Sequence, residues 1–133
     1  MNLQGKCSFF GGVNDSGMAL AEGLALYEHW EADLRPDLFL PRGTDPLFGT
    51  SQRLRYSTAC YIAVRFPKAQ YTRPEWQASS WRVKNLKTGQ WVKASLVDFG
   101  PHERTDRVVD LSYIIGQYLS IKTDDVVSVE RLS

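Results

Sequence analysis

Apolar and polar positions follow different patterns in the two halves of this chain. From Leu54 onward the apolar residues recur in short, closely spaced runs. Thr58–Phe66 is rich in β-branched and aromatic residues and stops at Pro67, which predicts a strand. Trp81–Leu86 and Gln90–Asp98 flank Lys87-Thr88-Gly89, a three-residue turn ending in glycine, and so predict a hairpin. Strict alternation in its second arm sends Trp91, Lys93, Ser95 and Val97 to one face and Val92, Ala94, Leu96 and Asp98 to the other. Phe99–Arg107 reads as a loop with a Gly-Pro break, Val108–Leu111 as a short strand, and Val126–Leu132 as the closing strand. Between the last two, Ser112 is placed to cap a helix over Tyr113–Leu119, with Ile114, Ile115, Tyr118 and Leu119 on one face.

The first half is less regular. Gly5–Phe10 predicts a first strand, closed by Gly11-Gly12. Val13–Gln52 is dense in turn formers, among them Asn14-Asp15-Ser16-Gly17 and Pro41-Arg42-Gly43-Thr44-Asp45-Pro46. Inside it, Leu20–Trp30 fits a helix or a strand equally well. So long an irregular stretch in a compact domain is functional or partly disordered as a rule. Pro67–Ser80 reads as a second loop. The predicted order is strand, long loop, strand, hairpin, short strand, helix, strand. A six-stranded barrel is the natural mainly-β solution, because closure buries such strands and removes their edges.

At 133 residues the chain fits a single domain. Hydrophobic residues at 43% and charged residues at 23% are a folded composition, not a disordered one. Sixteen basic against fifteen acidic residues speak against an electrostatically driven nucleic-acid binder. No apolar run is long enough to cross a membrane as a helix, and no signal peptide is visible at the N-terminus. Cys7 and Cys60 are too few for a disulfide scaffold or a zinc motif. Both sit in apolar, strand-like stretches, so they read as buried free thiols or as one disulfide between neighbouring strands. The second reading would imply an oxidising compartment.

One set of motifs goes further. Val83-Lys84-Asn85-Leu86-Lys87-Thr88-Gly89-Gln90 leads into Val97-Asp98-Phe99-Gly100-Pro101, then Arg107-Val108-Val109-Asp110-Leu111-Ser112 and the helix. This resembles the double-psi β-barrel of the rare lipoprotein A proteins, expansins and barwin-like endoglucanases. Gly5–Gly11 resembles that family's first strand. The resemblance covers residues 5–12 and 81–131 and implies an envelope, periplasmic or secreted protein, acting as a monomer on a cell-wall glycan strand, peptidoglycan above all. It implies no cofactor. The family's main acid maps to Asp110 and its companion to Asp98. The T-A-A-H segment of the rare lipoprotein A enzymes is replaced by Arg55–Cys60, which holds no histidine. Three functions stay open: a lytic transglycosylase or hydrolase, a non-catalytic glycan-binding or wall-loosening module, and a structural component of a phage or secretion apparatus.

Cleaving a glycosidic bond requires a proton for the leaving oxygen, and a carboxyl in apolar surroundings supplies it best. Val108, Val109 and Leu111 flank Asp110, so its charged form is expected to be disfavoured, against the opposing pull of the following helix. Asp98 meets a Gly-Pro turn. Asp15, just after the first strand, lies where barwin-like enzymes keep a base, which hydrolysis needs and transglycosylation does not. His102 follows the Gly-Pro turn and is a candidate for the same groove. Trp76, Tyr71 and Trp30 fall in predicted loops, where flat rings stack on sugars. No cluster of ligand residues predicts a metal.

Overall fold

A computed structural model describes residues 1–13, 24–45 and 52–133. Asp15 lies outside the described residues. Six strands close into a barrel: β1 (Asn2–Phe10), β2 (Tyr61–Val64), β3 (Ser80–Asn85), β4 (Trp91–Asp98), β5 (Arg107–Ser112) and β6 (Val126–Arg131). Their order around the barrel is β1-β5-β2-β4-β3-β6. Two neighbouring pairs are parallel, β1 with β5 and β2 with β4, and the other four are antiparallel. This pattern is unchanged when β1, β2 and β3 are exchanged with β4, β5 and β6. The helices obey the same exchange. Helix α2 (Arg73–Gln77) links β2 to β3, and α3 (Tyr113–Leu119) links β5 to β6; α1 (His29–Ala32) stands apart.

The barrel interior is made by the apolar face of each strand. Ile62, Val64, Trp81, Val83, Leu96, Val109, Leu111, Val127 and Val129 are all fully buried. Each such side chain contributes about 1.5–3 kcal/mol by leaving water. The β3–β4 hairpin forms as the sequence predicts, with Gly89 at φ +76° closing the turn. Helix α3 spans the predicted residues and packs closely on β1. A methyl group on Gly116 would stand 2.6 Å from the ring of Phe9, so only glycine allows this approach.

Three local expectations are corrected. Tyr118 is exposed; α3 buries Ile115, Gly116 and Leu119 instead. Ser112 precedes the helix, but its hydroxyl accepts the Tyr61 N–H at 3.2 Å rather than capping α3. The predicted Pro67–Ser80 loop contains α2. Its signal was present in Thr72-Arg73-Pro74-Glu75: the Thr72 hydroxyl accepts the Glu75 N–H, and the Glu75 carboxylate accepts the Thr72 N–H.

The described part of the irregular zone is a second layer on the outside of the barrel. Leu24, Leu26, Tyr27, Ala32, Leu38, Phe39, Leu54 and Ala59 are buried in one core with Tyr61, Val97 and Trp76. Polar anchors tie it down. The Arg35 guanidinium grips Asp37 with two bonds of 3.0 Å and donates to the Tyr27 hydroxyl and the Gln77 carbonyl. Buried Arg53 donates to the carbonyls of Gly12 and Val13, beyond the end of β1. No described helix is long and apolar enough to cross a membrane.

Both cysteines are free. Cys7 is fully buried, as expected, but Cys60, which precedes β2 rather than lying in it, is only half-buried. Burial, reinforced by Asp125, pushes the Cys7 thiol up to about 11. Native protein treated with a thiol reagent is therefore expected to react first at Cys60, with Cys7 modified only after unfolding, as read by mass spectrometry. Equal rates at both thiols would contradict this packing.

Candidate functional site

The two aspartates carried by the family resemblance meet on the outside of the barrel. On β2, Ala63 is paired on one side with Asp98 of β4 and on the other with Asp110 of β5. Asp110 is paired in turn with Ser8 of β1. Laterally paired residues share a face, so Asp98, Ala63, Asp110 and Ser8 form one row across four strands. Asp98 and Asp110 are two strand spacings apart, about 9.5 Å between backbones, with only a methyl group between them.

Strict alternation along β4 would have turned Asp98 inward with Leu96. The register shifts by one residue between Ile62 and Ala63, so Leu96 pairs with Ile62 but Asp98 pairs with Ala63. That bulge absorbs Val97 and brings Asp98 to the outer face. The predicted facing of Asp98 is corrected accordingly.

The surroundings of the two carboxyls differ. Asp98 Oδ1 accepts the N–H of Ala25 at 2.8 Å and that of Phe99 at 2.8 Å, pinning the outer layer to the end of β4. Burial pushes its carboxyl above the usual carboxylate range, against the pull of those two N–H groups and of Lys68. Asp110 is half-buried between the small side chains of Ser8 and Ala63. It faces Gly100: a methyl group there would lie 3.9 Å from Asp110 Oδ2 and meet no other described atom within 4 Å. Gly100 thus faces this carboxyl with no side chain of its own in between. The loop that carries Gly100 is held by Arg65, which donates to the Pro101 and Arg107 carbonyls at 2.7 and 2.9 Å. Arg107, on the same strand as Asp110, bonds Asp124 at 2.9 Å and places a positive charge near Asp110.

Among the described residues, the other sequence candidates do not join this row. His102 is exposed, and its Nδ1 accepts the Arg104 N–H at 3.1 Å, a local cap on the turn of Glu103–Thr105. Trp76 is 1% exposed and cannot be a sugar platform; its ring packs against Phe66, Tyr71 and Trp81. The sequence placed it in a loop, whereas it is the inward residue of α2. Tyr71 is half-buried, edge-on to Trp76, with the Arg131 guanidinium 3.8 Å from its ring centre. Trp30 is 65% exposed on α1, the one ring of the three open to solvent. No group of three His, Cys, Asp or Glu side chains among the described residues is placed to hold a metal ion. Arg65 and Gly100 were missed from sequence. Gly100 lay within the Gly-Pro break, but nothing local showed that it would face Asp110.

A pH dependence follows from Asp98. Its folded carboxyl keeps a proton to higher pH than the unfolded one, so the native state binds more protons over that window. Stability therefore falls as pH rises from the ordinary carboxylate range through the raised value. Asp98→Asn keeps an oxygen for the Ala25 N–H and has no charge to bury. Relative to this variant, the wild type is expected to lose stability as pH rises above the ordinary carboxylate range, as read from urea midpoints. A difference that stays constant with pH would show that this carboxyl is not desolvated.

No protein-family model matches the chain, and no curated protein is similar enough to count as a match.

Proposed function

We propose that the chain is a double-psi barrel of the cell envelope or of secreted fluid that cleaves a cell-wall glycan, peptidoglycan first, as a lytic transglycosylase. The observation that carries this reading is Asp110 in the outer row, paired between Ser8 and Ala63 and facing Gly100. The two exchangeable halves of the barrel support the family reading. In the proposed reaction Asp110 gives its proton to the glycosidic oxygen, and the bond from that oxygen to the anomeric carbon breaks. The C6 hydroxyl of the same sugar attacks the anomeric carbon and returns its proton to the Asp110 carboxylate. One C–O bond replaces another, an anhydro sugar forms, and no water is consumed. Asp98 is the positioning residue, holding Ala25 and the outer layer beside the row.

A non-catalytic glycan-binding module is the second reading. It is favoured by the engagement of Asp98 Oδ1 with two backbone N–H groups, a structural use of one of the two acids. Incubation with purified peptidoglycan sacculi separates the two. Release of anhydro-muropeptides, read by mass spectrometry, is the expected result. Co-sedimentation without release would favour the binding module, and neither would overturn both.

A further inference from the structure

The inward face of β6 carries Val127, Val129 and then Arg131. The two valines are fully buried in the barrel, and Arg131 is paired with the fully buried Trp81 of β3. Laterally paired residues share a face, so a guanidinium takes the last inward position, at the end of the barrel. A charge leaves water at a cost unless it meets a partner.

The protein supplies no such partner. The Arg131 guanidinium donates no hydrogen bond and forms no ion pair among the described residues, and its Nε is buried without an acceptor. It sits over the Tyr71 ring, 3.8 Å from the centre, and lies 4.9 Å from the ring centre of Trp76. The Trp76 indole N–H is also buried without an acceptor, so one aromatic cluster holds two unsatisfied donors. Stacking engages the flat face of a guanidinium and leaves its N–H edge free for an oxyanion.

Neighbouring acids are committed elsewhere. Glu130 points to the opposite face of β6 and pairs with Arg82. The Glu75 carboxyl is held below the usual range first by its bonds with Thr72 and last by the charge of Arg131. It is exposed, and it accepts the Thr72 N–H at the start of α2.

An open pocket of about 200 Å³ lies beside the guanidinium, lined by Met1, Gln70, Tyr71, Arg131, Leu132 and Ser133. It is smaller than the clefts of roughly 300–1,000 Å³ that hold whole small molecules, so it suits one functional group with a short substituent. One guanidinium balances one negative charge, and nearby Glu75 disfavours a second. A planar carboxylate matches the guanidinium fork with two parallel N–H bonds. Gln70 adds an amide to the wall, and Leu132 adds an apolar side chain.

We propose that the Arg131–Tyr71 pocket is a binding site for a carboxylate with a short apolar substituent, of the kind that ends a peptide chain. It is separate from the Asp98–Asp110 row and does not rest on the glycan reading.

The test titrates N-acetylalanine into the full chain at constant ionic strength, followed by amide NMR. Saturable shifts are expected at residues 70–71 and 131–133, with a Kd on the order of 1 mM. N-acetylalanine amide, which lacks the negative charge, should bind at least about tenfold more weakly. Arg131→Gln should abolish the advantage of the acid over the amide. Arg131→Lys, which keeps the charge and loses the fork, should lose most of it. Lys87→Gln, an exposed cation beyond the other end of β3, should have no effect. The comparison of acid with amide is made on the wild type, so it decides the matter even where Arg131→Gln fails to fold. Equal responses to acid and amide, or an acid response that survives Arg131→Gln, would overturn the proposal. So would inorganic phosphate that binds these residues more tightly than the acid.

Discussion

Asp110→Asn is expected to lower anhydro-muropeptide release by two to four decades, the usual span of general acid catalysis. The substitution keeps size and shape, and Asp110 is half-buried between small neighbours, so the fold should survive it. What disappears is the acidic proton. Sacculus binding should persist, because binding needs the row's shape rather than that proton. Release rates from sacculi, with co-sedimentation in parallel, make the measurement. Unchanged release would refute the assignment of Asp110. A comparable loss in Asp98→Asn alone would move the acid to the other end of the row, where burial already keeps a carboxyl protonated to higher pH.

The largest stability effect is expected at Trp76. This ring is the centre of a buried aromatic cluster: its centre lies 4.8 Å from that of Phe66, 5.1 Å from Tyr71 and 6.4 Å from Trp81. The Arg131 guanidinium lies 4.9 Å from it. Trp76→Ala should destabilise the fold by about 3–5 kcal/mol, the transfer and cavity cost of deleting a buried indole. Trp76→Phe should cost much less. The Trp76 indole N–H is buried with no hydrogen-bond partner, and phenylalanine removes that unsatisfied donor while filling most of the space. Urea unfolding of the three proteins decides this. Equal losses in both variants would mean that refilling the space does not restore the packing and that the indole itself is required. A small loss for alanine would mean that Phe66, Tyr71 and Trp81 collapse into the space the indole leaves.

Much of the barrel was legible in the chain because its signals are local. β-branched runs, the Lys87-Thr88-Gly89 turn and the apolar spacing of Tyr113–Leu119 each depend on neighbours within a few residues. All reappear as strands, turn and helix within a residue or so of the expected bounds, apart from a longer β1 and a shorter β2. The buried Cys7 was equally readable, since a thiol in an apolar strand has nowhere better to go.

What the chain could not show is which faces become covered. Tyr118 looked like a core position by helical spacing, yet α3 is turned so that Gly116 meets Phe9 and Tyr118 meets solvent. Trp76 looked like a loop aromatic, yet it turns inward from α2 and Phe66, Tyr71 and Trp81 pack around it. Alternation placed Asp98 on the wrong face, because a bulge depends on how two strands distant in sequence pair and leaves no mark on either alone. By itself the sequence determined the local elements, the mainly-β class and the two acids that the motifs single out. The tertiary structure decided that those acids share a row across β2 and that one of them faces Gly100. The physical reason is that helix and turn preferences are settled among adjacent residues, whereas register, coverage and exposure are settled only when segments far apart in the chain pack together.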